Sequence, residues 1–316
     1  MATPVLLTVD TELTWGPYAR GASWQENLAR SFDPAGVGVS WQLELLREHK
    51  LKACFFVDPM PAEHYGLVPI RQMIGPILNA GQEVQLHLHP CWRSIAAGVR
   101  EGADFELTCF DAAGQSDLVM AARRLLIEAG APPPTAFRSG SYAADVRTLA
   151  ALAGAGIRYD SSHNGSHHPV PSALPLTPAQ IAPLEVAGIV EVPVSQIEDR
   201  AGRLRHLQLC AVSMEEMEAA LVHAEAESHP IVTLVSHSFE FASRDGQRPN
   251  RTLARRFEKL CAFLADQAER FPTVHFADLT DLPLDRPARP LPADRLRTTR
   301  RMAQQLWSNL VYERSL

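Results

Sequence analysis

The chain has 316 residues, of which 46% are hydrophobic and 21% charged, with a formal net charge of −6 and a pI of about 6.1. This composition is typical of a globular protein with one large domain or two smaller ones, and its acidic balance excludes a general nucleic-acid-binding role. No apolar run reaches 18 residues, so the sequence predicts no membrane-spanning helix. The N-terminal stretch MATPVLLTVD has no charged leader region, and the five cysteines are scattered without a CxxC pair. We therefore expect an unprocessed, cytoplasmic protein with reduced thiols.

Short apolar runs alternate with helix-like segments along the chain. The runs that predict strands are VLLTVD (5–10), ACFFVD (53–58), EVQLHLH (83–89), TAFRSG (135–140), GIRYDSS (156–162), IVEVPVSQ (189–196), LRHLQLC (204–210), IVTLVSH (231–237) and TVHFADL (273–279). Most of them show no clean alternation of polar and apolar residues, which is typical of strands buried on both faces.

Amphipathic patterns between these runs predict helices. One apolar stripe covers residues 118–129, a capping box of Ser213 and Glu216 precedes MEEMEAALVHAEA, and another stripe covers residues 253–264. Alternating strands and helices indicate a parallel sheet, and seven or eight such units favour a closed or nearly closed barrel. A doubly wound open sheet is the alternative.

The segment DRPARPLPAD (285–294) predicts a linker. We therefore divide the chain into a barrel domain over residues 1–284 and a C-terminal extension over residues 285–316. The extension predicts an amphipathic helix whose apolar face comprises Ala303, Leu306, Trp307 and Leu310. Packing of that face against the barrel is the simplest expectation. A subunit contact and a peripheral membrane contact, favoured by the flanking arginines, are alternatives.

Polar side chains follow the predicted strands at their carboxyl ends. These candidates are Asp10, Glu12, His87, His89, Arg138, Tyr142, Asp160, Ser161 and His237. In a parallel α/β barrel the carboxyl ends of the strands meet at one rim, and that rim builds the active site. We therefore expect these side chains to share one site.

His87 and His89 are the strongest of these signals. They stand two residues apart at the end of one strand, so their imidazoles lie on the same face. Two imidazoles and a carboxylate, with one position open to water, make a catalytic zinc site. A structural pair, with one ring hydrogen-bonded in the core and one exposed, is the alternative. Asp10 and Glu12 also share a strand face. They are either a metal ligand and a base, or simply solvated residues where the strand passes into a loop.

The other candidates are weaker when taken singly. Arg138 is either a surface residue or a guanidinium that holds Asp10 and keeps its pKa low. Asp160 and the serines after it are also consistent with a turn, and a lone histidine such as His237 is more often structural. Together they supply a metal site, a base, an orienting cation and a proton donor. Those are the groups needed to hydrolyse an amide or an ester.

The order of these motifs resembles that of the NodB-homology polysaccharide deacetylases, carbohydrate esterase family 4. TVDT (8–11) is similar to the family's T-F-D-D, GQEVQLH (81–87) to the stretch that enters its H-[ST]-x-x-H, RSGSY (138–142) to its R-x-P-x-[YF], YDSS (159–162) to its fourth motif and LVSH (234–237) to its L-x-x-H. The resemblance covers about three quarters of the chain. It implies an α/β fold, a distorted, incomplete TIM-like (β/α)7 barrel.

Two motifs depart from the family pattern. Thr11 stands where the family has its second, metal-binding aspartate, so either Glu12 replaces that ligand or Asp10 binds the metal itself. Such variants resemble a divergent branch of the family found in O-antigen and capsule biosynthesis.

The histidine spacing is the second departure. His89 follows His87 by two residues, whereas the family's spacing of four leads to Cys91. We take Asp10, His87 and His89 as the metal ligands and Zn²⁺ as the expected metal, with His87 and Cys91 as the lesser alternative.

The resemblance implies a metal-dependent hydrolase that removes an acetyl or formyl group from an N-acylated sugar in surface-polysaccharide or lipopolysaccharide biosynthesis. The sugar would be nucleotide-linked, lipid-linked or part of an oligosaccharide. Asp10 or Glu12 would be the base, Arg138 would orient Asp10, the backbone N–H of Tyr142 would assist the oxyanion, and His237 would protonate the leaving amine. The side chains expected to bind substrate are Trp15, Trp92, Asp160, Ser161 and Phe239. Hydrolysis of another small C–N bond, as in a cyclic imide or ureide, and a non-catalytic saccharide-binding role remain open.

Overall fold

Parallel strands form a curled sheet at the centre of the protein. A computed structural model describes residues 2–98 and 104–313. Its strands are β1 Val5–Thr11, β2 Cys54–Val57, β3 Glu83–Leu88, β4 Ala136–Ser139, β5 Tyr159–Asp160, β6 Leu184–Val186, β7 Ile189–Glu191, β8 Gln196–Arg200, β9 Arg203–His206 and β10 Val232–His237. The eight-stranded sheet has the order β10-β1-β2-β3-β4-β5-β7-β6, and β8 and β9 form a separate hairpin. Only the β6–β7 pair is antiparallel within the described sheet.

Helices cover the outer face of the sheet. They are α1 Trp15–Ala19, α2 Trp24–Ser31, α3 Val39–His49, α4 Ala62–Tyr65, α5 Val68–Asn79, α6 Cys91–Ala96, α7 Ala112–Glu128, α8 Val146–Gly154, α9 Met214–Ala226, α10 Arg251–Asp266 and α11 Arg295–Ser308. The predicted capping box at the start of α9 is present, because the Ser213 and Glu216 side chains each accept a hydrogen bond from the other residue's backbone N–H.

The strands separate two apolar cores. Val5, Leu7 and Val9 belong to a large core shared with the helices. Leu6 belongs instead to a small core that includes Phe56 and lies inside the curled sheet. Because side chains alternate along a strand, Thr8 and Asp10 continue the inward row that begins at Leu6. The floor of the barrel is therefore apolar, and its mouth is polar.

Irregular backbone spans the gap between the two ends of the sheet. The Val192 N–H donates to the Asp160 carbonyl at 2.7 Å, and the Ser195 N–H donates to the Thr233 carbonyl at 3.2 Å. Residues 192–195 thus connect β5 to β10 without forming a regular strand. The expected distorted, incomplete TIM-like barrel is confirmed, and the open doubly wound alternative is wrong.

Some predicted strands are wrong in detail. Residues 273–279 form a short 3₁₀ turn over Phe276–Asp278, because the Glu83 carboxylate accepts the backbone N–H groups of Phe276 and Ala277 that a ladder would have used. The run 189–196 is divided between β7 and β8. Sequence patterning missed β6, which joins β7 through Ala187 and Gly188 at φ of 50° and 80°, a turn that favours glycine or asparagine.

The C-terminal helix α11 packs against the barrel with the face opposite to the one expected. Arg301 is 1% exposed and pairs with Asp199 and Glu216, while Leu306 and Trp307 are 63% and 65% exposed. The prediction that the apolar face packs inward is therefore wrong. The division at residue 284 stays a prediction, and residues 314–316 of the extension lie outside the described part. No helix of the described chain is long and apolar enough to cross a membrane.

The buried ion pairs of α11 give a stability prediction. We expect Arg301→Ala to lower the free energy of unfolding by about 3 kcal/mol, because it leaves the Glu216 carboxylate buried without its cation. Arg300→Ala removes an exposed neighbour on the same helix and is the matched control, with an expected change of less than about 0.5 kcal/mol. Urea unfolding of both variants measures the difference, and equal stabilities would contradict the assignment.

Candidate metal and catalytic site

The candidate residues meet at the carboxyl ends of neighbouring strands, as expected. Asp10 of β1 is in register with His237 of β10, and His87 of β3 is in register with Arg138 of β4. Glu12 directly follows β1. Parallel pairing therefore places these side chains at one rim of the barrel.

Glu12, His87 and His89 form a cluster whose ligand atoms converge. His89 Nε2 lies 2.5 Å and His87 Nε2 lies 3.3 Å from Glu12 Oε2. His87 is buried, whereas the side chains of Glu12 and His89 are 13% and 18% exposed, so the cluster stays open to solvent on one side. Asp10, which we took from the sequence as a ligand, is not a member of this cluster.

The surroundings of this cluster fit a divalent metal. The Nδ1 atom of His87 lies 2.7 Å from the carbonyl oxygen of Arg138, which can only accept, so Nδ1 carries the proton and Nε2 presents its lone pair to the cluster. Glu12 Oε2 is buried and has no hydrogen-bond partner of acceptable geometry among the described residues. Two imidazoles and one carboxylate also match the donor set of catalytic zinc sites.

The electrostatics of the cluster already favour a positive charge. Burial alone would raise the pKa of Glu12, but the neighbouring imidazoles of His89 and His87 hold that pKa well below its usual range. Burial would likewise lower the pKa of His89, yet the carboxylates of Glu12, Asp58 and Asp10 raise it to about 9. His89 is therefore protonated at neutral pH, and a metal cation bound at this cluster would replace that proton.

Two further residues adjoin the cluster. Asp58, which follows β2, is fully buried, and burial raises its pKa to about 6 despite the nearby charges of His89 and His87. Its position just beyond a strand end was a signal that the sequence offered and that we did not use. Cys91 begins α6 and is buried; burial and nearby carboxylates raise the pKa of its thiol, and it is not a member of the cluster.

Asp10 is held by Arg138 instead of by the histidines. Arg138 is fully buried, and its Nη1 donates to Asp10 Oδ1 and to Thr8 Oγ1, each at 2.8 Å. Its Nε and Nη2 donate to the carbonyl and hydroxyl oxygens of Ser161. Burial would raise the pKa of Asp10, but the charges of Arg138, His87 and His237 lower it below the usual value. Asp10 is therefore ionised at neutral pH.

His237 faces Asp10 and is oriented by residues that sequence reasoning missed. Its Nε2 lies 4.0 Å from Asp10 Oδ2, and on its other side Gln208 Nε2 donates to Nδ1 at 3.1 Å. Glu240 fixes this arrangement, because it accepts from Gln208 Nε2 and from the His237 backbone N–H. With Nδ1 accepting, the ring carries its proton on Nε2, toward Asp10. No motif in the sequence indicated Gln208.

Asp160 and Ser161, expected to bind substrate, are fully buried and bonded within the protein. Asp160 Oδ1 accepts from Ser162 Oγ at 2.6 Å, and Ser161 Oγ donates to the Val192 carbonyl at 2.8 Å. The Asp160 side chain lies beside the carboxyl group of Glu191, and burial raises the pKa of Asp160 to about 6. Burial and the Asp160 carboxylate raise the pKa of Glu191 well above its usual range. The carboxyl groups of Asp160 and Glu191 therefore share a proton. Neither Asp160 nor Ser161 reaches the surface to bind a sugar.

The aromatic candidates divide in the same way. Trp92 is 1% exposed and packs against Tyr18 and Tyr65, so the expectation that it stacks on a sugar is wrong: its faces are covered by protein. Trp15 and Phe239 are half-buried. Phe239 lies against His237, with 5.2 Å between ring centroids, and keeps a side open to solvent.

A cleft of about 470 Å³ begins at Phe239 and Glu240 and carries Arg20, Arg30 and Arg244 on its walls.

Tyr142, which we expected beside the reacting carbonyl, is 7% exposed and stacks on His167. Its backbone has a φ of 60°, a left-handed conformation that is strained for a tyrosine.

Comparisons with known proteins agree with this fold. No protein-family model and no curated protein matches the sequence. Among solved structures, a candidate polysaccharide deacetylase from Mycobacterium smegmatis superposes with a TM-score of 0.55 at 20% identity, over 91% of this chain and 95% of that one. The chain has the polysaccharide deacetylase fold.

More distant likenesses to the deacetylase fold include a family 4 carbohydrate esterase from Streptomyces lividans in complex with acetate, with a TM-score of 0.44, 12% identity and coverage of 92% and 98%. A family 4 pseudoenzyme from Bacillus anthracis has a TM-score of 0.43, 12% identity and coverage of 86% and 64%. The superposition on the Mycobacterium smegmatis structure confirms the expected polysaccharide deacetylase fold, and the O-antigen branch stays a prediction.

The contact between Gly140 and His89 gives a prediction for the cluster. A Cβ atom on Gly140 would lie 2.4 Å from His89 Cε1, so Gly140→Ala must displace the imidazole. We expect affinity for Zn²⁺ to fall about 10- to 100-fold, the usual effect of disturbing the support of a ligand. Calorimetric titration with Zn²⁺ measures this. Gly75→Ala on α5, where a Cβ meets nothing within 4 Å, is the control; equal affinities of the two variants would contradict the assignment.

The buried carboxyl pair gives a pH prediction. Both pKa values are raised in the folded state, so the folded protein binds more protons than the unfolded chain, and stability falls as pH rises from the unfolded value near 4 through about 6 and above. Glu191→Gln keeps an acceptor for the His163 N–H and removes the charge. We expect a melting temperature about 2 °C higher at pH 8 and little change at pH 4. Glu185→Gln, exposed on β6, is the control; a pH-independent effect would contradict proton sharing.

Proposed function

We propose that this protein is a metal-dependent hydrolase that removes an N-acyl group, acetyl or formyl, from a sugar. The observation that carries the proposal is the cluster of Glu12, His87 and His89 beside an aspartate held by a buried arginine. The deacetylase fold is consistent with it. The same arrangement supplies what hydrolysis of an amide requires: an electrophile, a base and an acid on one side of the bound acyl group.

Glu12, rather than Asp10, is the proposed carboxylate ligand. Its Oε2 already lies beside both Nε2 atoms, whereas Asp10 Oδ1 is occupied by Arg138. Thr11 cannot substitute, since its hydroxyl bonds to the Val9 carbonyl. The missing second aspartate is therefore replaced one residue later along the chain. When bound, a divalent metal such as Zn²⁺ would polarise the acyl carbonyl and increase the acidity of water at that position.

The chain's own side chains provide the proton transfers. Asp10, ionised and fixed by Arg138, leaves Oδ2 free to accept a proton from the attacking water. His237 stands on the other side of Asp10 Oδ2; as imidazolium, with Glu240 Oε2 4.0 Å from Nδ1, it would donate its Nε2 proton to the departing amine nitrogen and become neutral imidazole. The proton that Asp10 takes from water restores the charge for the next cycle. Gln208 is a positioning residue, because its contact with Nδ1 directs Nε2 toward Asp10.

The charge of the adjacent cleft supports a phosphorylated substrate. Three arginines line its walls, Arg20, Arg30 and Arg244, and they outnumber its exposed acid, Asp245. The other acid of the cleft, Glu240, already accepts hydrogen bonds from two backbone N–H groups. Guanidinium groups bind phosphate oxygens in bidentate fashion. We therefore propose a nucleotide- or lipid-linked sugar of the kind used in surface-polysaccharide biosynthesis, with the protein working in the cytoplasm where such precursors are assembled.

Separate replacement of the two carboxylates tests the assignment. We expect Glu12→Gln to lose bound metal, measured by elemental analysis of the purified protein, because the cluster loses its anionic ligand. Asp10→Asn should keep the metal and lower kcat about 10³-fold, because the base is lost. Glu44→Gln, exposed on α3, is the control for both.

The activity measured is acetate or formate release from a panel of N-acylated nucleotide sugars. Loss of metal in Asp10→Asn with retention in Glu12→Gln would reverse the two roles. Release from cyclic imides alone would contradict the sugar substrate, and a wild-type protein that binds no divalent metal would overturn the hydrolase proposal.

A further inference from the structure

The helix α11 is attached to the barrel by polar contacts. Arg301 pairs with Asp199 and Glu216, Gln305 Nε2 donates to the Ala211 carbonyl at 3.0 Å, and Ser308 Oγ accepts from Asn250 Nδ2 at 3.0 Å. These three side chains recur at intervals of three or four residues and form one face of the helix. The polar face of α11 therefore points toward the protein.

The opposite face is apolar and open to solvent. Its exposed fractions are 60% for Leu296, 50% for Met302, 63% for Leu306 and 65% for Trp307, and Leu310, two residues beyond the end of α11, is 43% exposed. Surface hydrophobic residues are normal when they are scattered, but a contiguous row on one helix marks a contact site. The orientation of α11 is thus the reverse of an ordinary surface helix, and its outer face lacks a cover among the described residues.

The charges around this face are positive. Besides the buried Arg301, α11 contains the arginines Arg295, Arg297 and Arg300 and no acidic residue. The neighbouring α10 presents Arg251, Arg255 and Lys259 at intervals of four residues. These three cations line a groove of about 380 Å³ together with Trp307 and Tyr312, and Glu215 is its acidic member. In a chain with a net charge of −6, this surface is a local concentration of positive charge.

We propose that the outer face of α11, with the cationic row of α10, docks the protein on an anionic lipid surface. Leucine and tryptophan side chains enter the boundary between headgroups and acyl chains, while arginine and lysine beside them bind lipid phosphates. A second copy of the chain fits less well, because a two-fold contact through this face would bring like-charged arginines together. Charge complementarity thus selects the lipid surface.

The docking face adjoins the cleft at the candidate site. Thr252 at the start of α10 lines the cationic groove, and the next residue, Leu253, lines the cleft that begins at Phe239. Docking through α10 and α11 therefore brings the cleft close to the lipid surface. This consequence rests on the proposed function, since it places a lipid-linked sugar within reach of the site; the docking itself does not depend on it.

Co-sedimentation with vesicles tests the proposal. We expect the wild-type chain to bind vesicles of phosphatidylglycerol and phosphatidylcholine and to release them as salt is added, with little binding to pure phosphatidylcholine. The variant Leu306→Ser/Trp307→Ser/Leu310→Ser should lose binding. The variant Arg251→Gln/Arg255→Gln/Lys259→Gln should bind the anionic vesicles roughly five-fold more weakly for each charge removed.

Matched controls distinguish binding through this face from nonspecific binding through other exposed apolar side chains. Met120→Ser on α7 and Val222→Ser on α9 remove side chains that are 47% and 45% exposed elsewhere, and both should bind like the wild type. Thermal unfolding checks that every variant is folded. The proposal would be overturned if the wild-type protein did not bind anionic vesicles. It would also be overturned if the triple serine variant were folded and still bound them. A concentration-independent dimer that fails to bind vesicles would assign the face to a second copy. Metal content and deacylase activity are measured separately, so loss of docking and failure of the proposed function remain distinguishable.

Discussion

The buried guanidinium of Arg138 is the interaction on which the site depends. It lies at the centre of the barrel mouth, 4.4 Å above the ring of Phe56, and its donors reach Asp10, Thr8 and Ser161. A single cation in a low-dielectric interior decides which nearby carboxyl groups can ionise. Asp10, in direct contact with it, stays charged. Asp160 and Glu191, which have no ion pair with it, retain a shared proton instead. The pattern of charge at the mouth thus follows from one side chain.

The same residue connects the proposed base, Asp10, to the proposed metal ligands. Because His87 and Arg138 are in register on adjacent strands, the carbonyl oxygen of Arg138 accepts the His87 Nδ1 proton while its side chain holds Asp10. One segment of β4 therefore orients His87, a proposed ligand, through its backbone and Asp10, the proposed base, through its side chain. Gly140, two residues later, leaves room for the His89 ring. This explains how a histidine spacing of two, rather than four, still brings both imidazoles to Glu12.

The sequence predicted the barrel and the rim because both depend on local patterns: apolar runs and polar residues at their ends. It could not decide between Asp10 and Glu12, because their partners come from strands more than 70 residues away in the chain. Trp92 was wrongly expected to bind substrate for a related reason: its position next to a motif in the sequence does not determine the direction in which its side chain packs. Gln208 and Glu191 act only through contacts across the barrel, and no periodicity or spacing identifies such residues before the chain is folded.

The orientation of α11 shows why a periodic pattern gives a face but not its direction. An apolar stripe ordinarily points inward, because burial of each large side chain contributes about 2 kcal/mol. Here Asp199 and Glu216 are themselves buried, and Glu216 would be an uncompensated charge without the guanidinium of Arg301, whereas Asp199 would keep its ion pair with Arg205. Turning the helix to bury Leu306 and Trp307 would break both ion pairs of Arg301 and leave Glu216 buried without a cation, which costs about 3–5 kcal/mol. Buried ion pairs add little to stability, but they choose between alternative packings. In this protein that choice leaves the apolar residues outside, where only a further contact can remove them from water.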